Sequence, residues 1–352
     1  MAIVSAKLCR YLLPLNCCLV KYRSINSIAP SHALQETVKN AVEAKAYQDI
    51  PDLLISFEQA CQNPNPFSFL STFPHRMQVV DEMLQSFIPI RPRSRAQAAY
   101  AYLLSFTLQS SNPLPLGLAI LQRTLRSGCI PIAQTRLLLS SAWLDCRKES
   151  RSVSDILIEM QSIGYNPDCS TCNYLISSLC AVDQLDEAVK VLKGMSKAGC
   201  VPDLESFDTV VGAMCTVRKT SEALDMIQKM VEKVGLTPRQ GTVVKVASAL
   251  RANREIWRAV ELIEFLERKD YPVGFESYDL VVKGCLDSGD NILAGKVVMG
   301  MTEKGFIPYI RTRHKVVERL AGAGEWKLAN AVRQRFSELR VDFDIRSGEN
   351  NP

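Results

Sequence analysis

The sequence predicts an all-α protein, an α-solenoid of stacked helix–turn–helix hairpins, and two periodic columns of residues support this prediction. The first column is a Gly-x-x-Pro segment whose glycines are separated by 36, 35, 36 and 70 residues. These glycines are Gly128, Gly164, Gly199, Gly235 and Gly305. The last spacing is two periods, and its midpoint falls on an altered copy, Asp270 to Pro272. A fixed period of about 35 residues indicates a repeat array.

The second column predicts one helix of each unit. Its alanines are separated by 35, 36, 35 and 35 residues, and large apolar residues follow each alanine by three and by seven positions. The column consists of Ala188, Ala223, Ala259, Ala294 and Ala329. Apolar residues at this spacing form one stripe of an α-helix, and the small alanine allows a neighbouring backbone to approach. We therefore expect this to be the second helix of each hairpin.

An apolar stripe that precedes each second helix predicts a first helix. Leu175, Ile176 and Leu179 form the stripe in one unit. The Gly-x-x-Pro segment ends the unit, because glycine caps a helix C-terminus and proline cannot continue the helix. One hairpin cannot cover its own apolar face, so the units are expected to stack.

The best copy, residues 169–203, resembles a pentatricopeptide repeat of the plain 35-residue class found in plant organellar proteins. It reads CSTCNYLISSLCAVDQLDEAVKVLKGMSKAGCVPD. The first helices lack the Trp, Leu-Gly and Tyr pattern of the competing tetratricopeptide family. The resemblance extends over 96–340, with units at 96–132, 133–168, 169–203, 204–239, 240–274, 275–309 and 310–340.

The flanking regions differ from the repeats. Residues 1–33 are expected to be an organelle transit peptide, because the chain has four basic residues and no acidic residue before Glu36. Mitochondrial import is the first expectation, and the chloroplast is the alternative. Residues 34–95 are expected to form one or two divergent helix pairs that cap the array. The polar tail, 341–352, is expected to be disordered.

Charge and composition exclude several classes of protein. The net charge is +5, but four of these charges lie in residues 1–35, which leaves +1 for the remaining chain. A generic nucleic-acid binder is more basic, so any RNA contact depends on local placement of charge. No segment reaches the roughly 18 apolar residues of a membrane span, so no membrane partner is expected.

The sequence predicts neither an enzyme nor a cofactor. Zinc deaminase domains, which end some pentatricopeptide proteins, require His-x-Glu, and none of His32, His75 and His314 begins such a motif. Cys169 and Cys172 form a CxxC without a second ligand pair, so we expect buried or half-buried thiols rather than a metal site. A small-molecule substrate is not expected.

The resemblance implies where RNA would be contacted. In this family, the fifth residue of the first helix and the last residue of the repeat meet the edge of one base. The pair Asn173 and Asp203 matches the pattern associated with uracil. The base-reading candidates are Asn173, Asp203, Asp208, Arg239 and Asp279. Val244 and Leu137 occupy the same column and offer no hydrogen bond.

Two further groups of residues have alternative interpretations. Arg311, Arg313 and Lys315 are candidates for phosphate contact, with a solvated face as the alternative. Trp257 and Trp326 are expected to pack between repeats rather than to stack on RNA.

The resemblance therefore predicts an organellar adaptor that binds single-stranded RNA, one base per repeat on a concave face, in transcript processing, stability or translation. The alternative is a protein-interaction scaffold, such as a subunit of the mitochondrial ribosome, with protein partners in place of RNA.

Overall fold

The computed structural model describes residues 30–56, 65–149 and 151–348 as helices joined by short turns. The α-helices in these ranges are α1 (Pro30–Glu43), α2 (Ile50–Ser56), α3 (Arg76–Phe87), α4 (Arg93–Leu108), α5 (Leu114–Arg126), α6 (Ala133–Lys148), α7 (Val153–Ile158), α8 (Cys169–Ala181), α9 (Leu185–Met195), α10 (Leu204–Thr216), α11 (Thr220–Lys229), α12 (Gln240–Ala252), α13 (Ile256–Arg268), α14 (Phe275–Ser288), α15 (Asn291–Glu303), α16 (Ile310–Gly322) and α17 (Trp326–Gly348). In this described part of the chain, no helix is both long and apolar enough to cross a membrane.

From α4 onwards the helices alternate between two layers. The even-numbered helices α4 to α16 are the first helices of the repeats, and each contacts the first helix of the next repeat. The odd-numbered helices α5 to α17 are the second helices, and α7 and α9 end in short 3₁₀ turns. The predicted all-α solenoid is thus confirmed. First helices begin at 133, 169, 204, 240, 275 and 310, where the repeats were expected to begin, and the array starts with α4 at Arg93 rather than at residue 96.

The buried alanine column explains how the two layers meet. Ala188, Ala223, Ala259, Ala294 and Ala329 are all at most 2 % exposed, and the apolar residues seven positions later are buried beside them. The layers also approach closely at Gly284 in α14, where an added Cβ would lie 2.4 Å from Cδ1 of Ile256 in α13. One hydrophobic core runs from Leu34 to Phe336, so the helices before the array share its core.

The end of each repeat depends on a backbone conformation that favours glycine. The five glycines of the Gly-x-x-Pro column all have φ between 72° and 81°, in the left-handed region. In the altered copy, Asp270 adopts φ 57° at the same position. The backbone N–H of Tyr271 donates to Leu266, as that of Phe306 donates to Met301 after Gly305. Asp270 therefore preserves the turn without the residue that best suits it.

The two ends of the chain differ in how far the structure describes them. The expected transit peptide lies outside the described residues, except for the start of α1. The tail expected to be disordered from 341 is instead helical as far as Gly348, because the sequence between Trp326 and Gly348 contains no proline or glycine that would stop α17. Residues 349–352 are outside the described part.

The expectation that both tryptophans pack between repeats is wrong. Trp257 is 54 % exposed and Trp326 is 63 % exposed, each near the start of a second helix. The guanidinium of Arg258 lies 5.9 Å from the ring of Trp257. Trp257 lies one residue off the buried stripe position that Ile256 fills, whereas Trp326 has that stripe position in the last repeat, where no further repeat of the described array covers it.

Candidate nucleic-acid interface

The fifth residues of the first helices form a column along the layer in which these helices contact one another. Each is paired in register with the last residue of its own repeat. In two consecutive repeats, 169–203 and 204–239, the structure brings the side chains of the two positions into direct contact. These contacts define the candidate interface.

In repeat 169–203 the contact is a hydrogen-bonded network around Asn173. Its amide nitrogen Nδ2 donates to Asp203 Oδ1 at 3.0 Å and to Oδ2 at 3.2 Å. The hydroxyl of Ser206, in the next repeat, donates to Asn173 Oδ1. Asp203 is also the N-cap of α10 and accepts from the backbone N–H of Ser206 at 2.9 Å. Asn173 is only 5 % exposed, so its amide is held in one orientation.

This network keeps Asp203 ionised. Burial disfavours the carboxylate, but hydrogen bonds led by those from the Ser206 backbone and the Asn173 amide outweigh it and hold the pKa of Asp203 below its ordinary value. The repeat thus offers a fixed amide donor beside an acceptor carboxylate.

In repeat 204–239 the contact is an ion pair. Arg239 Nη1 lies 3.0 Å from Asp208 Oδ2. The other oxygen, Oδ1, accepts from the hydroxyl of Thr242 at 2.6 Å. The Asp208 side chain is 13 % exposed and that of Arg239 is 58 % exposed. The group exposed to solvent is therefore the guanidinium of Arg239. The sequence analysis had named both Asp208 and Arg239 as base-reading candidates.

The third candidate, Asp279, is paired differently. It is 8 % exposed, and Lys283 Nζ donates to its Oδ2 at 2.6 Å. Lys283 lies one helical turn further along α14, and its ammonium is 5.5 Å from the centre of the Tyr309 ring. The exposed groups of repeat 275–309 are therefore Lys283 and Tyr309, and the buried Asp279 holds the Lys283 ammonium.

The intervening repeat, 240–274, has no polar pair. Val244 and Gly274 occupy the two positions, and Gln240 fills the space at Gly274 by accepting from its backbone N–H at 2.6 Å. Ser277, the counterpart of Ser206, is fully buried, and its hydroxyl has no hydrogen-bond partner among the described residues.

The three phosphate-contact candidates do not form one cluster. Arg311 is exposed. Arg313 turns towards the second helix of its repeat, where its guanidinium lies 5.8 Å from the Phe336 ring. Lys315 is held by Asp287 at 3.7 Å. Arg311 and Lys315, four residues apart, lie on one side of α16, whereas Arg313, two residues from each, points to a different side. Phosphate contact by these residues stays a proposal.

The sequence interpretation missed the hydroxyl column at the third position of each first helix. Every member is at most 5 % exposed, and the members are Thr135, Thr171, Ser206, Thr242, Ser277 and Thr312. Their spacing of 35 or 36 residues is visible in the sequence. Polar residues at a regular place in a buried stripe are a signal that could have found them.

Comparison with known proteins identifies the family. A model of the PPR repeat family matches residues 167–216, and a PPR repeat model matches residues 205–233. A pentatricopeptide repeat-containing protein from Arabidopsis thaliana is 62 % identical over 325 residues, which are 92 % of this chain and 94 % of the relative. The chain belongs to the pentatricopeptide repeat family.

Solved structures of a pentatricopeptide repeat protein are also similar to the chain. The maize protein PPR10 in complex with an 18-nt psaJ RNA element aligns with 96 % of the chain at 18 % identity and a TM-score of 0.43. Another crystal structure of maize PPR10 aligns with 87 % of the chain at 17 % identity and a TM-score of 0.34. The chain spans about half the length of these maize structures, 51 % and 54 % respectively.

The thiols of this pentatricopeptide repeat protein lie close to the interface. Cys172 is buried and Cys169 half-buried, as expected, and Cys169 Sγ lies 3.4 Å from Cys200 Sγ. Within the described ranges there is no group of three or more His, Cys, Asp or Glu residues that could hold a metal ion.

Proposed function

We propose that the protein is a single-stranded RNA-binding adaptor of a plant organelle, of the plain 35-residue repeat class, which acts in transcript processing, stability or translation without catalysing a reaction. Family membership supports RNA as the partner. The observation that carries the proposal is the Asn173–Asp203 network, which places a donor and an acceptor side by side at a base-reading position.

The chemistry of this pair fits uracil. The Watson–Crick edge of uracil carries a donor, N3–H, between two carbonyl acceptors. The Asn173 amide can donate to a carbonyl while the Asp203 carboxylate accepts from N3–H. Cytosine presents a lone pair at N3, which the carboxylate repels. We therefore propose one base per repeat along the first helices, on the concave face, with uracil at repeat 169–203.

The neighbouring repeat adds a second base. The guanidinium of Arg239 carries only donors, and a planar fork matches two adjacent acceptors such as O6 and N7 of guanine. Asp208 stabilises that fork through the 3.0 Å ion pair. Lys283 and Arg311 supply positive charge further along the layer for the phosphate backbone.

Binding of short single-stranded RNAs to the full-length protein at moderate salt tests the proposal. We expect Asn173→Ala to weaken binding of a uracil-containing RNA by about threefold to tenfold, the effect of losing one hydrogen bond. Asn330→Ala, an exposed asparagine on the outer helix α17, is the matched control. Failure of the wild-type protein to bind any RNA cross-linked to it in the organelle would contradict the proposal.

The alternative, a protein-interaction scaffold, draws on repeats 133–168 and 240–274. Leu137 is 37 % exposed at a base-reading position, and Val244 offers no hydrogen bond at another. A stable organellar protein partner that remains bound after ribonuclease treatment would favour this alternative.

Mitochondrial import is the proposed localisation, with the chloroplast as the alternative. A fusion of residues 1–33 to a fluorescent protein is expected to enter mitochondria in plant cells. Accumulation in chloroplasts or secretion would contradict it.

A further inference from the structure

The base-reading pair of repeat 169–203 is completed by a residue of the following repeat. Ser206 is the third residue of α10 and is fully buried. Its hydroxyl lies within hydrogen-bond distance of Asn173 Oδ1 and, at 2.9 Å, of Asp203 Oδ1. It also accepts from the backbone N–H of Asp203 at 3.2 Å. One side chain therefore contacts both members of the pair.

The chemistry of these groups determines how Asn173 is oriented. An ionised carboxylate can only accept hydrogen bonds, so the amide nitrogen must face Asp203. The Ser206 hydroxyl then donates to the carbonyl oxygen at the other end of the amide. Without Ser206, that oxygen is left unpaired in a buried place, and Asp203 alone orients the amide, so the amide is held less firmly when a base binds.

The next repeat shows the same arrangement with different residues. Thr242 is the third residue of α12 and is 4 % exposed. It donates to Asp208 Oδ1 at 2.6 Å, while Arg239 holds Oδ2. The Thr242 hydroxyl again contacts the fifth residue of the preceding repeat, Asp208. It thereby fixes the carboxylate that pairs with the exposed guanidinium of Arg239.

Two repeats without a polar fifth residue provide the contrast. Ser277 follows the repeat that carries Val244, and Thr171 follows the repeat that carries Leu137. Both hydroxyls are buried without a hydrogen-bond partner among the described residues. The hydroxyl thus has a partner where the fifth residue is Asn173 or Asp208, and has none where that residue is apolar.

We infer that Ser206 and Thr242 are positioning residues for base recognition, each acting on the repeat before its own. The inference rests on the proposed function and deepens it, since each recognition site then combines two repeats. Ser206 determines the preference for uracil over cytosine by holding the Asn173 amide, and Thr242 determines the base read by Arg239 by holding Asp208.

The test measures base preference rather than overall affinity. Full-length wild type, Ser206→Ala, Ser206→Thr and Ser277→Ala are titrated with RNAs that differ only by uracil or cytosine at the base bound by repeat 169–203. Ser206→Ala is expected to lower the uracil-to-cytosine affinity ratio by about threefold to tenfold. Ser206→Thr should restore the ratio, and Ser277→Ala should leave it unchanged. A merely structural role would weaken both RNAs equally.

A ratio that survives in Ser206→Ala, or falls equally in Ser277→Ala, overturns the inference. If the wild type shows no preference for uracil over cytosine, the proposed function fails at repeat 169–203. A second measurement then decides whether Ser206 positions Asn173. In NMR spectra of the free protein, the side-chain amide protons of Asn173 should exchange with water faster in Ser206→Ala than in wild type or Ser277→Ala. Equal exchange rates would overturn the positioning role itself.

Discussion

The carboxylate of Glu187, in α9, accepts a hydrogen bond from Arg147 Nε, in α6, at 3.0 Å and thereby joins two repeats. The same oxygen receives the indole N–H of Trp143 at 3.4 Å, and the other oxygen receives Lys190 at 2.8 Å. Glu187 is 14 % exposed. A shielded carboxylate with three donors therefore links the first helix of one repeat to the second helix of the next.

Glu187→Gln is expected to destabilise the protein by about 1–3 kcal/mol at pH 7, because it weakens charge-assisted hydrogen bonds. Burial raises the pKa of Glu187, but Lys190 and Arg147 outweigh burial and lower it below its ordinary value. Stability from the ionised form is therefore present above the unfolded pKa of about 4.3 and is lost as the pH falls through the folded pKa.

The difference in urea midpoint between wild type and Glu187→Gln should thus shrink as the pH falls from 6 to 3. Glu264→Gln, at an exposed position of α13, is the control and should change little at any pH. A difference that stays constant with pH would show that the carboxylate charge is not the cause.

Arg239→Lys should reduce the preference for guanine at the base bound by repeat 204–239 by about tenfold, because lysine keeps the charge but loses the planar fork. Overall affinity for RNA should change much less, since the charge that faces phosphate remains. Binding to RNAs with each of the four bases at that position measures the effect. Arg126→Lys, which alters an exposed arginine paired with Asp168, is the control.

Asp270→Gly should stabilise the protein by about 0.5–1 kcal/mol, because glycine adopts the observed φ of 57° without the steric cost of a Cβ atom. Gly305→Asp makes the opposite change at the equivalent turn and should destabilise by a similar amount. Thermal unfolding followed by circular dichroism measures both. Equal melting temperatures for wild type and Asp270→Gly would contradict this account of the turn.

Cys169 should react slowly with iodoacetamide at pH 7. Burial, followed by the hydrogen bond with Cys200, raises the pKa of Cys169 to about 12, and burial raises the pKa of Cys180 and of Cys215 to about 11. Since the thiolate is the nucleophile, alkylation should accelerate about tenfold per pH unit between 7 and 9. Mass spectrometry of peptides from the folded protein measures this. Rates at pH 7 equal to that of free glutathione would contradict the burial of these thiols.

Much of the fold was predictable because glycine and alanine recur at places where geometry demands them. The left-handed turn at Gly199 and the close contact at Ala188 both leave a residue-specific mark in the sequence. The end of α17 left none, because a polar sequence without helix breakers reads equally as a tail or as a surface helix. Exposure of both tryptophans was also missed, because Trp257 lies one residue off the apolar stripe and Trp326, which lies on it, belongs to the last repeat of the described array.

The candidate site was predictable only as a set of positions. Register placed Asn173 with Asp203 and Asp208 with Arg239, and both pairs are in contact. Which side-chain atoms remain free to contact a base depends on neighbouring residues, and the repeat register does not identify those neighbours. Thr242 and Arg239 occupy both oxygens of Asp208, and Lys283 binds Asp279 from one turn away. The role of the candidate residues in recognising bases stays a proposal.

The buried hydroxyl at the third position has a consequence for how such an array can change over time. Two of the six hydroxyls, on Thr171 and Ser277, have no hydrogen-bond partner in the described structure, yet Ser or Thr occupies all six positions. A Ser or Thr at the third position of these six first helices makes the repeats interchangeable in this respect. After duplication, deletion or recombination at a repeat boundary, a hydroxyl still follows the fifth residue of the preceding repeat. A new Asn or Asp at that place would meet a buried hydroxyl, as Asn173 and Asp208 do, whereas Asp279 is bound by Lys283 instead and its Oδ1 has no hydrogen-bond partner among the described residues.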